Sequence, residues 1–441
     1  MDAADRPGLA ARQVAARLLG AVVDARTSLD GLTDPAHGHP HFRKLEPRDQ
    51  ALVRAILQTA LRFRGTLEQA IASRIERPLP PNATSLRHIL HVGAAQILFL
   101  DVPDSAAVDL AVASAAADPR SARFKSLVNA VLRRIGREMT GGAPGGDPRL
   151  DCPPWLLQRI EAQYGDERAS AIAAAHRKPA PVDITVKSDP ALWAERLEGR
   201  VVAGGTVRLE RLGGPVSGLP GFAAGAWWVQ DLAASIPARL FGDVAGLRVA
   251  DLCAAPGGKT AQLASAGAAV TALDISASRM KRLQENLARL ELDAETVVGS
   301  LSEFSPAAPF DAVLLDAPCS STGTIRRHPD VAYTKDAAEI DKLADVQARL
   351  LADAARLVKP GGILVFSNCS LDRAEGEEVV AKYLAAHQDF SRVPVTPDEL
   401  PDFAFAITAD GDVRTAPDML PAQDGQLGGL DGFFAARLRR N

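Results

Sequence analysis

From Leu247 onward short apolar runs alternate with amphipathic stretches, and this alternation leaves few folds open. Leu247–Leu252, Ala269–Ile275, Glu295–Val298, Phe310–Leu315 and Gly362–Phe366 have the length and composition of strands. Between them, Ala277–Leu290 and Ala338–Leu357 repeat apolar residues at helical spacing. Strands that alternate with helices pair in parallel, because each helix carries the chain back across one face of the sheet. Residues 241–441 are therefore expected to form an α/β domain with helices on both faces. Ligands of such sheets bind at the carboxyl ends of the strands.

The chain before Leu247 has a different pattern. Residues 1–140 carry helical periodicity throughout, as in Val14, Leu18, Leu19 and Val22 and in Val53, Ile56, Leu57, Ala60 and Leu61. Further helices are predicted near Leu67–Ile75, Ser85–Leu98, Ala106–Ala116 and Lys125–Arg137, with breaks at Pro78–Pro81, Asp101–Pro103 and Pro119. These helices predict a compact all-α domain. Thr140–Pro148 holds four glycines and two prolines, so 141–150 is expected to be a linker. Residues 151–240 predict a small α+β subdomain, with a helix over Trp155–Ala175 and strands at Val182–Val186 and Val207–Leu212.

Charge and cysteine usage narrow the class further. The 441-residue chain has a net charge of −4, which excludes a plain polyelectrolyte binder. Met1–Thr140 nevertheless holds 19 Lys+Arg against 14 Asp+Glu, which suits a nucleic-acid partner held by one module. Arg12, Arg17, Arg62, Arg64, Arg133 and Arg134 are the candidate backbone contacts, with a solvated face as the alternative for each. No apolar run has the roughly 18 residues of a membrane helix. Met1–Asp5 is polar and acidic, so no membrane partner and a cytoplasmic location are expected. The four cysteines, Cys152, Cys253, Cys319 and Cys369, form no Cys-x-x-Cys pair, so neither a metal site nor a disulfide framework is expected. No long heptad pattern points to an oligomer.

Three segments carry chemistry. After the first strand comes Asp-Leu-Cys-Ala-Ala-Pro-Gly-Gly-Lys-Thr (251–260), whose small residues let a ligand approach a helix N-terminus. A phosphate loop would need glycine where Cys253 stands, and no Gly-x-Gly-x-x-Gly is present. The second strand ends in Asp274, either a ribose-diol contact or a helix cap, with Ser276 an equal candidate for the cap and Arg279 close behind. The fourth and fifth strands run into Asp-Ala-Pro-Cys-Ser-Ser-Thr-Gly (316–323) and Ser-Asn-Cys-Ser (367–370). Strands neighbouring in a sheet lie about 4.8 Å apart, so Cys319 and Cys369 are predicted to face one small substrate. Cys152 and Cys253 fit plain buried thiols.

These motifs resemble those of the S-adenosylmethionine-dependent RNA cytosine-5 methyltransferases, and Gly429–Leu438 resembles that family's closing strand. Leu86–Gln96, Asp101–Pro103 and Val128–Arg133 are similar to the NusB-like helical domain. The pairing of the two resembles that of bacterial enzymes acting on 16S rRNA. The resemblance implies a Rossmann-like methyltransferase domain preceded by an all-α NusB-like domain and a small α+β subdomain, with rRNA, in an unpaired loop or an assembling small subunit, as partner. It implies S-adenosylmethionine bound by Cys253, Ala254, Ala255, Pro256, Gly257, Gly258, Lys259, Asp274, Arg279, Ser300 and Asp316. It makes Cys369 the nucleophile toward cytosine C6, Cys319 the residue assisting proton removal or release, and Asp316 the contact to the base edge near N3. The sequence departs from the family at Asn368, where Thr is usual, and at Gly299-Ser300, where an acidic residue is common. It departs again at Asp183–Lys187, where Arg-x-Asn is common. Three alternatives stay open at this point: an RNA-binding ribosome assembly factor with an inactive methyltransferase domain, a cytosine-5 methyltransferase acting on another RNA, and a DNA cytosine-5 methyltransferase using Pro318-Cys319.

Overall fold

The computed structural model describes residues 6–139, 146–209, 211–422 and 426–441. Contacts divide the chain into two compact units, Met1–Lys178 with Arg327–Asp336, and Pro179–Arg326 with Ala337–Asn441. The first half of the expected linker, 141–145, lies outside the described residues, and Pro148–Asp151 forms a short 3₁₀ turn.

The first unit is helical. Lys125–Glu138 buries Val128, Val131, Leu132 and Ile135, a single stripe at helical spacing. Thr84–Phe99 is buried on most of its circumference and forms the centre of the unit's core. Helix and helix approach closely there, since a Cβ on Gly93 would lie 2.5 Å from Leu132. One sequence expectation is corrected here. The helix expected over Trp155–Ala175 is two helices, Pro154–Tyr164 and Asp166–His176, broken at Gly165, whose φ of 78° is left-handed. By contacts these helices group with the helical unit. The cause is polar: Asp151 accepts hydrogen bonds from the Thr66 N–H at 2.7 Å and from Arg177 Nε at 2.7 Å. Arg62 donates to the carbonyls of His176 and Lys178.

The second unit opens with four short strands, β1 (Val182–Val186), β2 (Arg200–Val201), β3 (Val207–Leu209) and β4 (Trp227–Val229). They form an antiparallel sheet in the order β2-β3-β1-β4. Asp183 of β1 and Arg208 of β3, both fully buried, bind through two hydrogen bonds of 2.7 and 2.8 Å. Asp183 also accepts from the Leu232 N–H, so this segment, where the family usually has Arg-x-Asn, carries a structural ion pair.

The main sheet comprises β5 (Arg248–Leu252), β6 (Ala269–Asp274), β7 (Glu295–Val298), β8 (Phe310–Asp316), β9 (Val358–Asn368), β10 (Phe390–Arg392), β11 (Val413–Thr415) and β12 (Phe433–Arg440). β7-β6-β5-β8-β9 are parallel, as the alternation predicts. The sheet as a whole is mixed, because β12 runs antiparallel to β9 and carries β10 and β11 antiparallel to itself. Among the described residues no helix lies between β11 and β12, and β12 runs back in the opposite direction. Alternate residues of β8 face opposite cores: Val313 and Leu315 pack on one side, Ala312 and Leu314 on the other. Each such fully buried Val or Leu contributes roughly 1.5–3 kcal/mol. This double-sided core fixes the strand ends that form the site. Among the described residues, no helix is long and apolar enough to cross a membrane.

Candidate active site

The loop after β5 leads into the helix Gly258–Ser265 and turns sharply on the way: φ is 59° at Cys253 and 99° at Gly257. A Cβ on Gly257 would lie 2.7 Å from Leu283 Cγ, so only glycine lets the loop pack against the helix Ala277–Leu290. The loop is tied to β6, because the Ala254 N–H donates to the Leu273 carbonyl at 3.0 Å and the Ala255 N–H to Asp274 Oδ2 at 3.2 Å. Asp274 is buried, accepts from the Ser276 N–H at 2.9 Å and pairs with Arg279. Ser276, not Asp274, caps the following helix, accepting from the Arg279 N–H. The Asp274 carboxylate is thereby free of capping and fixed beside the loop.

Beside Asp274 opens a cavity of about 420 Å³, lined by Cys253, Asp274, Arg279 and Ser300 and walled by Ile275, Leu301, Pro318, Val346 and Leu350. This volume lies within the roughly 300–1,000 Å³ of small-molecule sites. Its donor set suits S-adenosylmethionine: a fixed carboxylate for a diol, apolar walls for a flat base, and a loop of small residues at a helix N-terminus. The sequence reading missed the apolar walls. Ile275 was the available signal: an isoleucine at a strand end, 75% exposed, is out of place unless a ligand covers it. Ser300 lines the cavity, and its hydroxyl lies 2.8 Å from that of Ser302. Burial pushes the Cys253 thiol up to about 12 and the Cys152 thiol likewise, which keeps both protonated.

Across the edge, β8 and β9 pair with Asp316 opposite Ser367. That register carries Cys319 and Cys369 to the same rim, and their Sγ atoms lie 3.4 Å apart. Both are half-buried free thiols. A hydrogen bond from Cys319 draws Cys369 below the ordinary thiol value; Ser321, whose Oγ lies 3.5 Å from Cys369 Sγ, and Lys259 act the same way against burial and Asp316. Cys319 is pushed well above its ordinary value by the same sulfur pair and by burial. Of the two thiols at the rim, Cys369 is therefore the more acidic and the better placed to act as a nucleophile. Ser321 reaches this place through a left-handed φ of 60°. Asp316 holds Lys259 Nζ at 2.7 Å and accepts from Ser367 Oγ at 3.0 Å, while the ammonium lies 4.8 Å from the centre of the Phe433 ring. Fully buried Asn368 donates to the Glu375 carbonyl at 2.6 Å and accepts from the Ser370 N–H at 3.0 Å, two bonds that fix the Cys369 turn. Asn368 uses two separate polar atoms for these bonds, where a threonine would offer a single hydroxyl. Among the described residues no group of three or more His, Cys, Asp or Glu could hold a metal ion.

The arginines proposed to contact nucleic acid fare unevenly. Arg12 is buried and bound to Gln96 Oε1 at 2.9 Å, so its place in the list is corrected: the core holds it. Arg62 is taken up by the two carbonyls described above, and Arg64 sits over the Tyr333 ring, where burial lowers its pKa. Arg17, Arg133 and Arg134 are exposed, the latter two bonded to Asn129 and Glu138 along their own helix.

The chain matches the family model described as 16S rRNA methyltransferase RsmB/F over residues 243–439, and the NusB family over residues 9–137. It is 38% identical to the ribosomal RNA small subunit methyltransferase B of Xylella fastidiosa (strain Temecula1), covering 98% of each chain. It is 35% identical to the protein of the same name from Pseudomonas putida, covering 97% of this chain and 98% of that one. Among solved structures, a methyltransferase homolog protein from Pyrococcus horikoshii superposes with a TM-score of 0.55 at 29% identity, over 67% of this chain and 98% of that one. Matched along nearly its whole length, with a cavity that suits the donor, the chain belongs to the ribosomal RNA small subunit methyltransferase B family, RNA methyltransferases that use S-adenosylmethionine.

Proposed function

We propose that the protein methylates C5 of a cytosine in 16S rRNA through a transient bond between Cys369 Sγ and C6 of the base. The observation that carries this reading is the thiol pair, 3.4 Å apart, with Cys369 the more acidic member.

Cytosine C5 is a poor nucleophile. Addition of the Cys369 thiolate to C6 forms the S–C6 bond and sends the ring electrons toward N3 and O2, which makes C5 enamine-like. Asp316 meets the base edge near N3, and Lys259, held beside it, offsets the negative charge that develops there. S-adenosylmethionine, when bound, supplies an electrophilic methyl group. Cys253–Lys259 and Ser300 line its place, and Asp274, steadied by Arg279, holds the ribose. Removal of the C5 proton, assisted by Cys319, leaves its electron pair to re-form the C5–C6 double bond. The S–C6 bond then breaks, and its electron pair returns to Cys369.

A base inside a helix cannot reach both sulfurs, so the target is a nucleotide in an unpaired loop or one flipped from its stack, as an assembling small subunit offers. Such a substrate places the work in the cytoplasm. Exposed arginines of the helical unit, Arg17, Arg133 and Arg134, supply backbone contacts. Incubation with 16S rRNA and labelled S-adenosylmethionine, followed by nucleoside analysis, tests the reading. Labelled 5-methylcytosine that disappears in Cys369→Ala is expected. Label on another base position, or normal methylation by Cys369→Ala, would overturn it.

A further inference from the structure

Behind the two sulfurs lies a polar cluster that the mechanism does not use. Its centre is Glu375, in the short 3₁₀ turn Arg373–Glu375, with no solvent exposure. Glu375 Oε1 accepts from the Ser320 N–H at 2.8 Å and from Gln347 Nε2 at 3.0 Å. Glu375 Oε2 accepts from the hydroxyls of both Ser320 and Ser370. The Glu375 carbonyl takes the amide of Asn368. Ser320 directly follows Cys319, and Ser370 and Asn368 flank Cys369. One side chain therefore holds the residue after each cysteine, across fifty positions of sequence.

Four donors fill the acceptor sites of an ionised carboxylate. A buried charge is costly, and burial does raise the Glu375 carboxyl. Plain packing is met more cheaply by an apolar side chain, which satisfies neither serine. The two loops also meet through the Gly323 N–H to the Cys369 carbonyl at 2.9 Å and through the Ser320 and Ser370 hydroxyls at 3.2 Å; what the carboxylate adds is one shared acceptor that fixes both serines directly beside the sulfurs. We infer that Glu375 is a positioning residue for the sulfur pair: by clamping Ser320 and Ser370 it sets the separation at which the Cys319 thiol donates to Cys369. The inference rests on the proposed roles of the two cysteines.

Charged groups facing the pair are few. Asp316 and Lys259 act on Cys369 from the cofactor side, and Glu375 acts on Cys319 from behind. Arg414, paired with Glu377, holds the Ser370 carbonyl. Loosening the clamp lengthens the Sγ–Sγ contact, and the thiolate on Cys369 loses its donor.

The test is the pH dependence of Cys369 alkylation by iodoacetamide, read by peptide mass spectrometry on the full chain, for wild type, Glu375→Gln, Ser320→Ala and Ser370→Ala. The glutamine is isosteric but turns an amide N–H₂ toward two hydroxyls. The serine variants each remove one donor and leave the carboxylate in place, so they carry the test if the glutamine variant does not fold. We expect the midpoint to move up toward the ordinary thiol value in every folded variant. The kcat for RNA methylation should fall at least tenfold, with KM for RNA and the affinity for S-adenosylmethionine unchanged. Midpoints that stay at the wild-type value in the folded variants would overturn the inference. If the midpoints move while Cys369→Ala still methylates RNA normally, the clamp stands and the proposed role of Cys369 falls.

Discussion

Lys259 and Asp316 form an ion pair across the carboxyl edge of the sheet, with Nζ 2.7 Å from Oδ2 and the lysine side chain only 10% exposed. The lysine comes from the first turn of the helix Gly258–Ser265 and the aspartate from the end of β8, so the pair joins the helix after the small-residue loop to the strand end that leads to Cys319. Lys259→Met removes the charge and keeps the stem. Asp316 is left without its counter-ion, and charge developing on the base is no longer offset. Loss of a charged hydrogen bond is worth about 1.5–3 kcal/mol, which converts to a fall of roughly ten- to a hundredfold in rate. Single-turnover methyl transfer measures this, and an unchanged rate would remove Lys259 from the mechanism.

Asp274 is the one buried carboxylate in the cavity wall, and it also holds the loop through the Ala255 N–H. Asp274→Asn retains shape but loses charge and one acceptor. Calorimetry should show the affinity for S-adenosylmethionine falling by about ten- to a hundredfold. Arg279→Ala, at a side chain 53% exposed, should have a smaller effect, since screening weakens exposed pairs. Equal losses in the two variants would show that the guanidinium, rather than the carboxylate, meets the ligand.

The sulfur pair predicts a pH profile. The hydrogen bond from Cys319 is the largest influence lowering Cys369. Methyl transfer needs the thiolate, so the rate should rise with pH and level off below the ordinary thiol value of 9.0. In Cys319→Ala the donor is gone, and the ionisation of Cys369, followed by alkylation, should shift upward. A wild-type profile still rising above pH 9.0 would contradict this.

Asp251 lies beneath the cofactor loop, and burial pushes its carboxyl up to about 7, against the hydrogen bond from Thr260 Oγ1 at 2.6 Å. A carboxyl raised above its unfolded value of 3.8 favours the fold while it is protonated. Its contribution is complete below the unfolded value and is lost as pH rises through about 7. Asp251→Asn removes that loss. The variant should therefore melt closer to wild type at pH 4 and gain on it at pH 8. A difference in melting temperature that is independent of pH would contradict the shift.

Where local pattern and global packing agree, the sequence was sufficient. Ala277–Leu290 buries Met280, Leu283, Leu287 and Leu290, and it begins and ends where its periodicity does. Cys319 and Cys369 could be paired because parallel neighbours put their strand ends at one edge. Residues acting through distant partners were not legible. Arg12 has the same charge as Arg17, and only the position of Gln96 buries one of them. Glu375 sits among exposed-looking charges in Asp372–Glu378, and nothing local marks it as the one that turns inward. The antiparallel return of β12 was hidden for a related reason, since strand direction depends on what lies between two strands rather than on either one. Arg327–Asp336 groups with the helical unit through Tyr333, which donates to the Leu61 carbonyl, and through Asp330, which accepts from the Leu29 N–H. Those contacts span nearly three hundred residues, and no periodicity reports them.

The most direct measurement is a denaturing gel of Cys319→Ala and Cys369→Ala after incubation with 16S rRNA and S-adenosylmethionine. If Cys369 bonds to C6 and Cys319 serves release, Cys319→Ala will retain RNA through denaturation and Cys369→Ala will retain none. Retention by Cys369→Ala alone would exchange the two roles, and free RNA in both lanes, with methylation intact, would contradict covalent catalysis.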